Sequence, residues 1–242
     1  MNPIRRIAAL AMVAVVGLVT ACGGDSAPVA APTTTADAGD ASDGDTSGTT
    51  LAPPDATISP DVPAEFLDSI GPIEVVGDPL PYLAETDSVT DPAVGTPAPV
   101  LVGLGPDGET VRVDAAAAGP TMVVFLAHWC PHCNAEVPRI NQLRDEGKIP
   151  EGLNVVAVLT ASNPGRPNYP PFPWIESLDW TYPAMLDGID MEAQTFIAAQ
   201  AYGVSGFPFI TLIDANGDVA ARWSGEREPD EILDLFSSAL GL

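Results

Sequence analysis

The sequence predicts an α/β sandwich with a mixed central sheet, confined to residues 96–242. Two observations carry that prediction. Residues 121–127 (TMVVFLA) and 153–161 (LNVVAVLTA) are continuous apolar runs rich in β-branched side chains. That is the pattern of strands buried on both faces, and a helix-length segment separates them. The second observation is a hairpin pattern late in the chain, FPFITLIDANGDVAARWSG (207–225), turning at Asn216-Gly217. Strand and helix in alternation, then a hairpin and a closing helix, make a layered sandwich with parallel and antiparallel neighbours in one sheet.

Taken from the start, residues 1–21 place Arg5 and Arg6 ahead of a short apolar run from Ile7 to Val19, the pattern of a secretory signal peptide. A membrane-spanning helix needs about 20 apolar residues, and this run stops short of that. It ends Val19-Thr20-Ala21-Cys22, which resembles the bacterial lipobox. The resemblance implies a diacylglycerol on the Cys22 thiol. The expectation is an exported protein, lipid-anchored at Cys22 on the outer face of the cell membrane.

Residues 22–58 are almost entirely Ala, Thr, Asp, Gly, Ser and Pro, without a periodic apolar face. Such a segment cannot bury enough surface to offset its ordering entropy, so a disordered linker is predicted, with a reach of roughly 30–35 Å. Residues 59–95 mix packable side chains (Phe66, Leu67, Ile70, Ile73, Val75, Val76) with prolines and read as a partly ordered extension. The chain carries 33 acidic and 9 basic side chains, a net charge of −24. That balance argues against nucleic acid or anionic lipid head groups as partners. A monomer is expected.

Within 96–242, VLVGLGPDGETVRV (100–113) reads as strand, turn, strand. It contains a formal GxGxxG (103–108), but a strand follows where a dinucleotide site needs a helix, and Asp107 would repel a pyrophosphate. After the strand at 121–127, a helix is predicted to about Glu146. The Pro-rich segment 163–178 reads as an exposed loop leading into a short helix. A short strand is expected at 182–188 and a helix over 191–204. The closing helix, 228–240, offers Ile232, Leu233, Leu235, Phe236 and Leu240 for packing.

FLAHWCPHCNAEVP (125–138) holds both histidines and two of the three cysteines. Haem attachment needs Cys-x-x-Cys-His, and position 134 is Asn. A structural zinc site needs four ligands, usually two separated pairs, and no second Cys/His cluster exists. A cysteine protease needs a histidine from a distant element, whereas His128 and His132 are local. His128 is read as a surface residue. A redox pair fits: Cys130 and Cys133 stand where a buried strand ends and a helix begins, where free N–H groups and the helix dipole stabilise a thiolate at Cys130. Pro131 suits the first helical turn. Cys130 is then the attacking sulfur and Cys133 the resolving one. If Cys22 is lipidated, no cysteine is left over.

Strand, Trp129-Cys130-x-x-Cys133, helix, and later Gly206-Phe207-Pro208 opening a hairpin, resemble the thioredoxin fold over roughly 96–242. Pro138 matches its helix-kinking proline. The long stretch between Cys133 and Pro208 resembles the TlpA/ResA-like branch, of AhpC/TSA–Redoxin type, of exported thiol-disulfide oxidoreductases. The resemblance implies a thioredoxin-like α/β/α sandwich and a cis Phe207-Pro208 bond beside the cysteines. It implies protein thiols or disulfides as substrates, a redox partner, and no cofactor. Trp129 is expected to flank the disulfide as an apolar platform, and His132 to tune the Cys130 thiolate. Cys-Pro-His-Cys is also the motif of the oxidase DsbA, while thioredoxin's buried acid, six residues before its first cysteine, is here Val124. The direction of electron flow stays open on this reading. A second reading, a Cu(I)-binding module using Cys130, Cys133 and His132, stands beside it because thiolates suit Cu(I); a purely structural disulfide is the third.

Overall fold

A computed structural model describes residues 64–84 and 91–242. The expected signal peptide, Cys22 and the linker lie outside the described residues, as do 59–63 and 85–90 of the extension. A short helix α1 (Ala64–Leu67) precedes β1 (Glu74–Val76), which pairs antiparallel with β2 (Val100–Leu104). β2 pairs in turn with β3 (Thr110–Val113), so the extension contributes a strand to a three-stranded sheet. The GxGxxG segment forms the turn between β2 and β3: the Gly105 N–H donates to the Glu109 carbonyl at 2.9 Å, and Gly108 adopts φ +78°. That conformation is the reason for a glycine at 108.

A single turn α2 (Ala115–Ala118), capped by the Asp114 side chain, leads into β4 (Thr121–Leu126). The chain continues through α3 (Pro131–Asp145), β5 (Asn154–Leu159), α4 (Pro171–Ser177) and β6 (Ala184–Leu186). A two-residue ladder follows, β7 (Ile189–Asp190) against β8 (Thr195–Phe196), then α5 (Ile197–Ala201). The hairpin β9 (Phe209–Ile213) and β10 (Val219–Ser224) precedes α6 (Pro229–Leu235), which winds into a π turn over Phe236–Leu240.

The main sheet has the order β10-β9-β4-β5-β6. β4, β5 and β6 run parallel, while β9 is antiparallel to both β4 and β10, giving the mixed sheet expected from the sequence. β4 is buried at every position and its alternation divides the core. Met122, Val124 and Leu126 pack with Val137, Ile140 and Leu143 of α3 and with Ile232 and Phe236 near the C-terminus. Val123 and Phe125 face the other way, against Leu101, Val111, Ala198 and Tyr202. Two layers on one central sheet follow from that single strand.

The helix expected over 191–204 shrinks to Ile197–Ala201. Asp190 explains the delay, because its carboxylate accepts the backbone N–H groups of Glu192 and Ala193, both at 2.9 Å, and holds a turn there. Asp187 then accepts from the N–H groups of Ala198 (2.8 Å) and Ala199 (3.1 Å), so the helix begins where those donors are taken up. At the other end of the sheet, the Arg222 side chain is fully buried. Its guanidinium donates to Asp91 (2.8 and 2.5 Å) and to the carbonyls of Pro81 (3.0 Å) and Tyr202 (2.9 Å).

Candidate active site

Cys130 is the N-cap residue of α3, in extended backbone at the end of β4's connection, and Pro131 takes the first helical position. The strand-to-helix junction read from the sequence is thus present, with Cys133 on the first turn. Both cysteines are free thiols. Cys130 retains 6% exposure and Cys133 none. The Cys130 Sγ–H donates to the Phe207 carbonyl at 3.4 Å, and Cys133 Sγ accepts from the Ala127 N–H at 3.4 Å. Burial pushes the Cys133 thiol far above its ordinary pKa; the Ala127 N–H works against this, while Cys130 and Glu136 add to the rise.

Phe207-Pro208 is cis, as the resemblance implied, and Tyr169-Pro170 is cis as well. The Gly225 N–H donates to the Pro208 carbonyl at 2.8 Å, joining the start of β9 to the end of β10. Trp129 meets Phe207 edge-on with ring centroids 6.1 Å apart. Its indole N–H donates to the Ala161 carbonyl at 2.8 Å, which fixes the ring on the edge of the site.

Glu136 is a residue of this site that the sequence reading passed over. It is fully buried, on the same stripe of α3 as Cys133, Val137, Ile140 and Leu143. Its Oε2 accepts from the Arg227 N–H at 3.0 Å and lies 3.8 Å from Arg139; its Oε1 has no hydrogen-bond partner among the described residues. Burial outweighs these contacts and raises its pKa to about 7. The signal available in the sequence was spacing: a carboxylate one helical turn after Cys133, on the apolar stripe. Val124, where thioredoxin carries its acid, is a buried core residue on the same face of β4.

His132 is exposed, and its Nδ1 lies 3.0 Å from Glu226 Oε1. Glu226 also pairs with Arg139, which reaches on to Glu228 at 2.9 Å. The partner of His132 is therefore a carboxylate of the loop after β10.

His128, expected at the surface, is 1% exposed. Its Nε2 accepts the Asn163 N–H at 3.1 Å, which leaves Nδ1 protonated and donating to the Pro167 carbonyl at 2.7 Å. The Asn168 side chain donates to the His128 carbonyl at 3.0 Å, and Tyr169 packs edge-on against the ring. The Pro-rich loop folds over the histidine because the imidazole answers its backbone polar groups. Burial lowers the His128 pKa, against the Pro167 contact.

Among the described residues, no group of three or more His, Cys, Asp or Glu side chains is arranged to hold a metal ion. His132, the third ligand of the copper reading, has its Nδ1 paired with Glu226, and nothing in the site favours that reading.

Comparison with known proteins bears on the family of the chain. The Redoxin family model matches residues 93–235. The thiol-disulfide oxidoreductase ResA of Geobacillus kaustophilus (strain HTA426) is 29% identical over 140 residues, covering 58% of this chain and 74% of that protein. The thiol:disulfide interchange protein DsbE of Escherichia coli (strain K12) is 29% identical over 140 residues, covering 56% of this chain and 68% of its own. A crystal structure of a putative thiol:disulfide interchange protein DsbE from Chlorobium tepidum superposes with a TM-score of 0.48 at 26% identity, over 61% of this chain and 98% of that one. With more than half of its length matched by the family model, the chain belongs to the Redoxin family.

Proposed function

We propose that this thiol-disulfide oxidoreductase exchanges electrons with protein thiols and disulfides through Cys130 and Cys133, while tethered by lipid at Cys22 outside the cytoplasm. The observation that carries the reading is the asymmetry of the dithiol. One sulfur sits at the N-terminus of α3 within reach of solvent, and the other is sealed beneath it, one turn from a carboxylate that binds a proton near neutrality.

In the reducing direction, the Cys130 thiolate attacks one sulfur of a substrate disulfide. A mixed disulfide forms and the substrate's other sulfur leaves as a thiolate. Glu136 takes the proton of Cys133, whose sulfur then attacks Cys130. The Cys130–Cys133 disulfide forms, the second substrate thiolate leaves, and two electrons have passed to the substrate. A redox partner restores the dithiol by the reverse sequence. Run backwards, the same steps oxidise a substrate dithiol, with Glu136 returning the proton. The sulfurs carry the electrons, so the exchange needs no cofactor.

Direction follows from reduction potential, and glutathione titration of the dithiol is the test. A value near ~−270 mV assigns a reductant; one near ~−120 mV assigns a disulfide donor. Failure of Cys130 and Cys133 to form a disulfide at any glutathione ratio sinks the reading.

A further inference from the structure

Among the described cations, Arg166 and Arg227 have no carboxylate ion pair and each lies over a tryptophan, Arg227 at 5.5 Å from the Trp223 ring centroid; of the two, Arg166 is the one stacked on the residue next to Cys130. Arg112, Arg139, Arg144, Lys148 and Arg222 each lie against a carboxylate. Arg166 has no carboxylate partner among the described residues; its guanidinium lies over the Trp129 ring, 4.8 Å from the centroid. It is exposed, and it is the single charged residue between 161 and 175. Trp129 precedes Cys130 in the chain and meets Phe207, whose carbonyl receives the Cys130 thiol. An unpaired guanidinium is thus stacked on the aromatic edge of the reactive sulfur.

Its position is fixed from below. The loop that bears it is bonded at Asn163 and Pro167 to the two nitrogens of buried His128, and at Asn168 to the His128 carbonyl. The Arg166 N–H donates to the Asn163 carbonyl at 3.0 Å, closing the turn. A guanidinium so held forfeits less freedom when it binds an anion, and the indole under it leaves its outer edge for a ligand. The net charge of −24 does not cancel this effect. Charges farther off than about 8 Å are screened at physiological salt, while a contact pair is not.

We propose that Arg166 is a specificity-determining residue: it docks a carboxylate that flanks the reacting cysteine of the substrate polypeptide. The inference rests on the exchange reaction proposed above. It is tested with the whole protein and symmetrical disulfides of one short single-cysteine peptide, carrying Glu, Gln or Lys beside the cysteine. The wild type should reduce the Glu peptide with about three- to fivefold higher kcat/KM than the Gln peptide at low salt, the range of an exposed ion pair. Raising the salt to about 0.5 M should compress that ratio. Arg166→Gln should bring it to about one, and Arg166→Glu should turn the preference towards the Lys peptide. Equal rates for the three peptides in the wild type, or an unchanged preference in Arg166→Gln, would overturn the assignment while leaving the exchange reaction standing. If the wild type neither reduces the peptide disulfides nor oxidises the corresponding peptide thiols, the exchange reading falls and this inference with it.

Discussion

Glu136 follows Cys133 by one turn on the buried face of α3, and its carboxylate opposes ionisation of that thiol. The inner sulfur of the pair is therefore dependent on a neighbour to lose its proton. A carboxylic acid that titrates near neutrality is suited to that exchange, because its affinity for the proton is matched to working pH.

Glu136→Gln is expected to keep the fold and slow resolution of the mixed disulfide by about a hundredfold at pH 7, the lower end of general-base contributions. Stopped-flow measurement of the second step checks this. The stability effect has a definite sign. The folded pKa of Glu136 is raised to about 7 from an ordinary 4.5, so its contribution is fully favourable below the ordinary value and is lost as pH rises to about 7. Urea unfolding should show Glu136→Gln gaining on the wild type across that window.

The two cysteines should fail differently. Cys130→Ser should abolish exchange with a protein disulfide, because the reachable nucleophile is gone. Cys133→Ser should accumulate a mixed disulfide through Cys130, visible by mass spectrometry as a stable adduct. In the reduced wild type, alkylation near neutral pH should label Cys130 first, since burial holds the Cys133 thiol protonated.

His128→Leu removes the partners of the Asn163 N–H and the Pro167 carbonyl and should cost about 1–3 kcal/mol in chemical unfolding. The carboxamide of His128→Gln offers both a donor and an acceptor, so it should recover part of that. A histidine whose pKa is lowered in the folded state contributes stability at neutral pH that is lost as pH falls below its ordinary range near ~6.5. The deficit of His128→Leu should accordingly narrow on the acid side.

Cys22→Ala should shift the protein from the membrane fraction to the soluble one, without changing the kinetics of the dithiol. Persistence of the variant in washed membranes, still carrying residues 1–21, would assign the anchor to the apolar run from Ile7 to Val19 instead.

The sheet was legible because β4 and β5 announce themselves as unbroken apolar runs, and the dithiol because strand, cysteine pair and helix stand in one short stretch. What escaped depends on distant partners. Glu136 reads as an ordinary helical glutamate until the loop after β10 covers it and Arg227 gives it an N–H. His128 reads as a polar surface residue because Asn163 and Pro167, which bury it, lie 35 and 39 residues on. The strand Glu74–Val76 is only three residues long and flanked by prolines, so neither periodicity nor propensity marks it; pairing with Val100–Leu104 makes it a strand.

Cutting the chain at residue 96 would keep Arg222 and discard both Asp91 and the Pro81 carbonyl. A guanidinium would then sit inside the protein without its counter-charge, at a cost of about 3–5 kcal/mol, a large share of the stability of a domain this size. The outcome of proteolysis is thus sharply dependent on where the chain is cut. A cut well upstream of Pro81 should leave the folded domain stable, and a cut after Asp91 should destabilise it.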